Sequence, residues 1–452
     1  MARLKEFRER CAEVREAVKQ MKKPLIVNHY DADGLSSGGL VARALKKMGK
    51  EFEVRTLRKL DGKAVDGLAG FNEIIFTDLG GGQVKLIEEK LAGKKVVVID
   101  HHQTMESSVL QANPELFGFD GAGELSGSGA AWFVFGDPEL VDLGVVGAVG
   151  DMQFPLKGLN RVMLEQGIKA GVVECSIDLT VFGRVSRALA WFLQYSSEPY
   201  MPGLTGNSRN CALMLKELGI SMKEGGEWRR YYQLSLEEKK KFVSAVVAWL
   251  YEKGADPKSI RSLVGEVYSF PKAPEGSELS DASEFSTVLN ACGRHKRPDV
   301  GIGVCLGDAE AIEKSRELLK LHRRQLREGI SYASKAAEDF GKYYFLDGRG
   351  VIDDGLIGVV AGMLYGGGVK RTKPIIAVSD YGEEKGKLKA SGRATRELIG
   401  KGLNLNTVMK KATEGIGVGG GHNIAAGAHL EASALNDFLL SAGKEVAAEL
   451  GA

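Results

Sequence analysis

Short apolar runs that end in polar residues recur through the first hundred positions of the chain. The first run covers residues 25–27 and precedes a stretch of helical period after Gly34, and EIIFTD and KKVVVID repeat the pattern. Continuous apolar strands separated by helices are typical of a parallel sheet that is buried on both faces. We therefore predict an α/β domain over residues 1–170, with its ligand beyond the carboxyl ends of the strands.

The pattern changes in the middle of the chain. Residues 171–305 are mainly helical and less regular, and Ser235 and Glu238 form a capping box before the helical sequence KKKFVSAVVAWLYEKG. We interpret this segment as an inserted, mainly helical subdomain.

A second α/β unit follows. Residues 306–338 predict one long connecting helix, because Ile312, Leu319 and Leu326 recur at heptad spacing among charged residues. From residue 339 to 452 strands such as YYFLD, PIIAVSD and KLKASGR alternate with helices. The predicted fold class is α/β: a parallel-sheet domain and a smaller carboxy-terminal domain joined by a long helix.

Composition narrows the functional classes. The 61 Lys and Arg residues nearly balance the 59 Asp and Glu residues, so any surface for a polyanion must be local. The cysteines form no Cys-x-x-Cys pair, which argues against a zinc finger and a disulfide framework. The amino terminus is charged and helical in period and has no apolar signal core, so we expect a cytoplasmic protein without a membrane partner.

Carboxylate and imidazole side chains gather where the predicted strands end. They are His29, Asp31, Asp33, Asp78, Asp100, His101 and His102, with Asp151 after the apolar stretch LGVVGAVG. We expect His29, Asp31 and Asp33 to alternate along a strand end and to project from one face. Clustered carboxylates repel one another unless divalent cations neutralise them, and a set without thiolates favours Mn²⁺ or Mg²⁺ over structural zinc. The sequence therefore predicts a site for two divalent cations.

A structural explanation exists for each residue alone. An Asp at a strand end is often a helix cap or turn former, and a lone histidine such as His322 or His295 is usually structural. The metal hypothesis depends on the coincidence of so many candidate ligands at one predicted edge.

Four motifs, in order, carry a family resemblance. HYDADG, TDLG, VVVIDHH and GAVGD resemble the motifs of the DHH phosphoesterase superfamily. KASGRAT and GVGGGHNIAAGAHL resemble the associated carboxy-terminal DHHA1 domain, whose hallmark is a Gly-Gly-Gly-His turn. The long insertion, including EFSTVLNACGR, is similar to that of archaeal RecJ homologues. Bacterial RecJ-like enzymes usually begin the first motif with Asp where this chain has His29.

The resemblance implies roles for individual residues. It implies metal ligation by His29, Asp31, Asp33, Asp78, His101 and Asp151. Asp78 is then the expected bridge between two ions, His102 is expected to face the scissile phosphate, and Asp100 is expected to orient a neighbouring histidine. No nucleophilic Ser or Cys is needed, because paired cations activate water directly.

The glycine-rich segment near the carboxyl end has three interpretations. Gly415, Gly417 and Gly420 formally match a dinucleotide-binding motif, but the helical stretch NTVMKKATEG precedes them where that motif needs a strand. A tight turn between lobes is the structural alternative. We favour phosphate binding, because glycine lets backbone N–H groups approach phosphate oxygens and Arg can bind phosphate through two bonds. The expected substrate-binding residues are His102, Ser391, Arg393, Gly419, Gly420, Gly421 and His422.

The expected function is hydrolysis of phosphodiester bonds at the end of single-stranded DNA or RNA, in a cleft between the two lobes. Two basic groups, residues 294–297 and Arg323, Arg324 and Arg327, either line the path of the nucleic acid or are solvated faces. The alternatives are a small-substrate phosphodiesterase, acting on short oligonucleotides or cyclic dinucleotides, and a replication scaffold. The resemblance to archaeal RecJ-like proteins also implies association with the GINS complex and a role in DNA replication or repair.

Overall fold

The computed structural model describes residues 2–196, 201–255, 257–366, 368–382 and 384–451. The chain divides into two compact units, one of Met1–Phe192 and Met214–Leu319 and the other of Leu193–Leu213 and Lys320–Ala452. Residues 193–213, which lie within the predicted insertion, thus group with the second unit. None of the described helices combines the length and the apolar character that a membrane span requires. The cysteines are free thiols.

The helices fall along the whole chain. They are α1 (Ala2–Lys19), α2 (Ala32–Lys47), α3 (Gly62–Asp66), α4 (Val84–Lys90), α5 (Gly127–Phe135), α6 (Val141–Gly150), α7 (Gly158–Lys169), α8 (Leu189–Phe192), α9 (Ser208–Glu217), α10 (Leu236–Glu252), α11 (Pro257–Ser262), α12 (Ala282–Arg294), α13 (Pro298–Cys305), α14 (Ala309–Ala336), α15 (Ile357–Met363), α16 (Arg396–Gly400), α17 (Leu405–Ala412) and α18 (Leu435–Glu449).

The strands are β1 (Leu25–His29), β2 (Glu53–Leu57), β3 (Glu73–Thr77), β4 (Lys95–Ile99), β5 (Leu110–Ala112), β6 (Glu174–Leu179), β7 (Lys223–Glu224), β8 (Glu227–Trp228), β9 (Val264–Ser269), β10 (Glu338–Asp339), β11 (Tyr344–Asp347), β12 (Ile375–Asp380), β13 (Lys387–Arg393), β14 (Gly417–Gly421) and β15 (Ala425–Glu431). They form a five-stranded sheet, a six-stranded sheet and two small two-stranded sheets.

The amino-terminal sheet is parallel, in the order β2-β1-β3-β4-β5. Successive residues of its strands point to opposite faces of the sheet, and each face packs against its own set of helices. Ile26 and Ile75 pack with residues of α1, α2, α5 and α6, whereas Val27 and Phe76 pack with residues of α3 and α4. The prediction of a parallel sheet buried on both faces is confirmed.

Helix α2 begins earlier than we predicted. Asp31 is its N-cap, and the Asp31 carboxylate accepts a hydrogen bond of 3.0 Å from the Gly34 N–H. Asp33 lies in the first helical turn, so the prediction that His29, Asp31 and Asp33 alternate along a strand end is wrong. The physical reason is capping, because an Asp oxygen satisfies an N–H group that the first turn leaves without a partner.

The segment between the two large sheets combines helices with the two small antiparallel sheets, β6 with β9 and β7 with β8. The predicted capping box of Ser235 and Glu238 is present at the start of α10. The buried Glu284 carboxylate, on α12, accepts hydrogen bonds from the backbone N–H groups of Val185 (2.7 Å) and Ser186 (3.0 Å). These bonds hold the loop after β6 against α12.

The carboxy-terminal sheet has the strand order β10-β11-β12-β13-β15-β14. Strands β11 and β12 are parallel, and the other neighbours are antiparallel. Val378 and Ala390 lie on the face that packs with residues of α16, α17 and α18. Ile375 and Ala377 point the other way, into a core with residues of α14 and α15.

The glycine-rich segment is a strand and not the predicted Gly-Gly-Gly-His turn. Gly419, Gly420 and Gly421 belong to β14, an edge strand that pairs antiparallel with β15. The chain reverses after them, where the His422 N–H donates to the Ala425 carbonyl (2.9 Å). A Cβ atom at Gly419 would lie 2.3 Å from the carbonyl oxygen of Met409, so this glycine allows α17 to pack closely.

Candidate metal centre

The predicted ligands converge because the strands are parallel and in register. Asn28 of β1 pairs with Thr77 of β3, and Thr77 pairs with Ile99 of β4. His29, Asp78 and Asp100 come one residue later on each strand, so they meet at the carboxyl edge of the sheet. Asp151, the C-cap of α6, contributes its carboxylate to the same edge.

The candidate ligands form two groups that share one carboxylate. In the first, His29 Nδ1 lies 2.9 Å from Asp31 Oδ2 and 3.7 Å from Asp78 Oδ2. In the second, His101 Nε2 lies 3.3 Å from Asp78 Oδ1. The same nitrogen is 3.8 Å from Asp33 Oδ2 and 3.9 Å from Asp151 Oδ2. Asp78 therefore offers one oxygen to each group.

Asp78 also shows that these residues suit a cation. Its side chain is 2% exposed, and Oδ1 accepts no hydrogen bond from any residue that the structure describes. Its backbone is in the left-handed region, at φ 57°, which is unfavourable for a residue with a side chain. Burying a carboxylate among other carboxylates is costly, and a divalent cation between the two groups would remove that cost.

The protonation equilibria of the two groups reflect their crowded charges. Burial raises the pKa of Asp33 well above its usual value, and repulsion from Asp78 raises it further. Burial opposes protonation of His29 and His101, but the neighbouring carboxylates outweigh it and hold the pKa of both imidazoles well above the usual value. The negative charge of the clustered carboxylates thus favours a bound cation. When no cation is bound, it favours protonation of the carboxyl and imidazole groups instead.

Backbone groups hold the Asp33 carboxylate in place. It accepts hydrogen bonds from the N–H groups of Gly127 (2.7 Å) and Ser128 (3.0 Å), at the start of α5. A Cβ atom at Gly127 would lie 2.5 Å from Asp78 Oδ1. We did not single out these residues from the sequence, although Ser126 before the apolar run of α5 is a recognisable N-cap.

Two further residues orient the second group. His101 Nδ1 lies 2.7 Å from the carbonyl oxygen of Gly121, so the ring donates there and turns Nε2 toward the carboxylates. Gln153 donates to that carbonyl (2.9 Å) and to Asp151 (2.7 Å). Sequence reasoning missed both positions, because neither belongs to a recognised motif.

His102 and Asp100 pair with each other next to Asp78 and His101, and one ligand atom from each of the four lies within 4.8 Å of the others. His102 Nδ1 lies 2.8 Å from Asp100 Oδ1, and the buried Asp100 also accepts the Gly81 N–H (2.8 Å). Burial opposes protonation of His102, but attraction to Asp100 raises the pKa of His102 to about 9. The His102 side chain is 51% exposed. It can therefore donate a hydrogen bond to an anionic group.

Helix α12 contacts the loop that carries the first group. Asn290 accepts the Ala32 N–H (3.2 Å), and a Cβ atom at Gly293 would lie 1.8 Å from the Tyr30 carbonyl oxygen. The Arg294 guanidinium lies close enough to Asp31 for their opposite charges to attract. The residues of the predicted basic run, 294–297, thus lie in different surroundings. Arg294 lies at the candidate metal centre, whereas the exposed Arg297 pairs with Asp299 (2.7 Å).

Apart from His102, which lies in the first unit, the candidate phosphate-binding residues belong to the second unit. Ser391 and Arg393 alternate on one face of β13, and Ser391 stands in line with Gly427 and Gly420 across β15 and β14. A Cβ atom at Gly358 would lie 2.4 Å from Arg393 Nη2, so α15 packs closely on this face. Gly419, Gly421 and the exposed His422 lie on the edge strand or directly after it.

A pocket of about 740 Å³ lies along the second half of α14. Its lining comes from α14 alone and consists of Arg324, Arg327, Glu328, Ser331, Tyr332, Lys335 and Ala336, so three cations stand beside one carboxylate. Two of the three arginines that the sequence analysis singled out on this helix therefore line one concave surface.

Three protein family models match the chain in order. The DHH family N-terminal domain matches residues 23–137, the DHH-CID domain residues 181–264, and the DHHA1 domain residues 343–448. An uncharacterised protein of Methanocaldococcus jannaschii is 30% identical over 454 residues, which cover 95% of this chain and 96% of that protein. The single-stranded-DNA-specific exonuclease RecJ of Thermus thermophilus is 28% identical over 185 residues, 36% of this chain and 28% of that enzyme.

Solved structures share the fold at low sequence identity. Thermus thermophilus RecJ in complex with Mn²⁺ superposes with a TM-score of 0.60 at 17% identity, over 98% of this chain and 55% of that one. This chain thus spans about half the length of that RecJ. CDC45 from Entamoeba histolytica superposes with a TM-score of 0.65 at 13% identity, over 98% of this chain and 99% of that one. Together with the matched domains, these similarities identify the chain as a RecJ-like member of the DHH superfamily, and so as a relative of nucleases and other phosphoesterases.

Proposed function

We propose that this protein is an exonuclease that uses two divalent cations to hydrolyse phosphodiester bonds at the end of single-stranded DNA or RNA. The products are nucleoside monophosphates, and the setting is DNA replication or repair. The observation that carries the proposal is the position of Asp78, whose two carboxylate oxygens reach different histidines, His29 at 3.7 Å and His101 at 3.3 Å.

The proposed ligands are His29, Asp31, Asp33, Asp78, His101 and Asp151. The carboxylates and imidazoles suit Mn²⁺, with Mg²⁺ as the alternative, and the structures of Thermus thermophilus RecJ contain each of these ions. Paired divalent cations supply an activated water and stabilise the charge that develops on the phosphate.

The protein's own residues would then position the substrate. The pair of Asp100 and His102 holds a protonated imidazole beside the metal ligands, where it can donate to an oxygen of the scissile phosphate. Arg294, which interacts with Asp31, adds a second positive charge at the same edge. Because both donors are held before substrate arrives, little reorganisation is needed during the reaction.

The second unit supplies the contacts to the nucleic acid. Ser391, Arg393, Gly419, Gly420, Gly421 and His422 are the proposed phosphate contacts. Glycine in edge strand β14 lets phosphate oxygens approach the backbone closely, while the Gly421 N–H already donates to Asn406 Oδ1 (3.1 Å) and the Gly417 N–H to the Thr413 carbonyl (2.9 Å). The pocket along α14 adds Arg324, Arg327 and Lys335 to the proposed path of the strand.

A replication scaffold that binds the GINS complex is the second candidate function. The fold shared with CDC45 over nearly the whole chain favours it. The complete set of candidate ligands argues against a protein that is only a scaffold, because an inactive scaffold does not need clustered buried carboxylates. Association with GINS and nuclease activity are compatible, and both are part of the proposal.

The test uses end-labelled DNA and RNA strands of graded length, digested with Mn²⁺ and analysed by product size. We expect mononucleotides from strands longer than about ten nucleotides, with an affinity that falls as salt rises because the strand displaces counterions. The Asp78→Asn variant should fold and yield no product. Efficient cleavage of dinucleotides with survival of twenty-nucleotide strands would support the small-substrate phosphodiesterase instead. Binding of GINS without any product would support the scaffold.

A further inference from the structure

Two polar residues of the carboxy-terminal sheet lie outside the candidate site but share its face. Lys389 of β13 pairs directly with His429 of β15. Directly opposite residues of antiparallel strands point to the same face, and so do alternate residues of one strand. Lys389, His429, Ser391 and Arg393 therefore project from one side of the sheet.

The row between these cations carries little side-chain bulk, because it holds only Ser391, which is 3% exposed, and a glycine. Ser391 pairs with Gly427, and the rows on either side hold Arg393 and the pair of Lys389 and His429. A Cβ atom at Gly427 would meet nothing closer than the Ala390 carbonyl oxygen at 3.4 Å. Glycine thus keeps a shallow trough open on the sheet, with positively charged or hydrogen-bonding side chains along both edges.

Neighbouring contacts hold Lys389 and His429 at the trough. Lys389 Nζ donates to the Asp354 carbonyl oxygen (2.8 Å), which anchors an ammonium group that carries three donor hydrogens. The His429 ring packs edge-on against Tyr381, with 4.5 Å between the ring centroids. Both side chains are half-buried, so a ligand on the sheet can reach them.

The next lysine along the strand marks where the trough ends. Lys387 Nζ lies 2.5 Å from Glu384 and 3.9 Å from Glu431, so two carboxylates balance its charge. Lys389 is thus the last residue in this direction whose charge remains available to an anion in the trough.

We propose that Lys389 and His429 form a second phosphate subsite, which takes the phosphate adjacent to the one bound by Arg393. The inference rests on the proposed exonuclease function and specifies how the strand is held. The Cα atoms of Lys389 and Arg393, four residues apart on a strand, are about 13 Å from each other. Long side chains on both edges can close over a strand that occupies the trough, so substrates with at least two phosphates gain affinity.

The test measures binding by the full chain in EDTA, using fluorescence anisotropy of labelled thymidine nucleotides with one phosphate or with four. The variant Lys389→Met keeps the aliphatic stem and removes the charge. We expect about tenfold weaker binding of the four-phosphate probe and a slope of log K against log salt that is smaller by about 0.7. Binding of the one-phosphate probe should change less than twofold. Lys389→Arg should restore the slope, and His429→Gln should weaken the four-phosphate probe only.

The matched control is Lys387→Met, which removes the same charge two residues away and should leave both probes unaffected. Equal loss for both probes in Lys389→Met would indicate a structural role for the bond to Asp354 and would overturn the subsite. No loss for either probe would overturn it too. In either case, digestion of single strands by the wild-type chain would still support the proposed exonuclease function. A wild-type chain that neither binds nor digests strands would refute both proposals.

Discussion

Asp78 is the candidate metal ligand whose surroundings are the most restrictive. It is buried, its backbone adopts the left-handed conformation, and its two oxygens face different histidines. A position this unfavourable persists only where the surrounding structure enforces it. Gly127 helps to hold Asp78 in this conformation. Its N–H donates to the Asp33 carboxylate, and its lack of a side chain leaves room for the Asp78 carboxylate.

We therefore predict that Gly127→Ala weakens Mn²⁺ binding by about 10–100-fold, the usual effect of disturbing the groups that orient metal ligands. The added methyl group would lie 2.5 Å from Asp78 Oδ1, so the carboxylate must move. Titration calorimetry with Mn²⁺ measures the change. Gly82→Ala is the control, because its Cβ atom would meet nothing nearer than the Gln103 carbonyl oxygen at 3.8 Å. Wild-type affinity in Gly127→Ala would show that Asp78 is not a ligand.

Helix α12 connects the inserted segment to the candidate metal centre. Its amino-terminal part binds the loop after β6 through Glu284, and its carboxy-terminal part lies against Tyr30 and Ala32. The helix thus stabilises the loop that carries Asp31 and also fixes the start of the insertion.

The energetic contribution of Glu284 can be tested separately from catalysis. We expect Glu284→Ala to lower the free energy of unfolding by about 1–3 kcal/mol, because backbone N–H groups of Val185 and Ser186 lose a charged acceptor. Urea denaturation gives the value. The exposed Glu237, which pairs with Lys241, is the control, and Glu237→Ala should leave the free energy of unfolding close to the wild-type value. Equal effects of the two substitutions would contradict the role of Glu284.

Much of this arrangement could be predicted from the sequence, because apolar strand runs that end in Asp and His indicate both the parallel sheet and the edge where the candidate ligands meet. The start of α2 was mistaken, since an Asp after a strand can extend it or cap the next helix. The predicted turn at Gly419 to Gly421 is also wrong. These glycines form strand β14 by pairing with β15, and a local glycine pattern does not predict such a nonlocal pairing. Gly127 and Asn290 were missed because their role is to contact residues distant in sequence.

The whole chain separates its two proposed tasks between two units. All candidate metal ligands lie in the unit of Met1–Phe192 and Met214–Leu319. Ser391, Arg393 and His422 lie in the other unit. This division predicts that metal binding and substrate affinity respond to different substitutions.

Accordingly, Arg393→Ala and His422→Ala should each raise KM for single strands about tenfold or more and leave Mn²⁺ affinity within twofold. Steady-state kinetics and metal titration on the same preparations measure both quantities. Lys401→Ala, which removes an exposed charge paired with Glu397, should change neither. Loss of Mn²⁺ affinity in Arg393→Ala or His422→Ala would show that the tasks are not divided in this way.

The central claim is that Asp78 bridges two divalent cations. Anomalous diffraction from crystals grown with Mn²⁺ tests it most directly, because it locates each ion without relying on activity. We predict two peaks about 3.5–4 Å apart, one beside His29 and Asp31 and one beside His101 and Asp33, with Asp78 between them. A single peak, or ions that do not contact Asp78, would contradict the account.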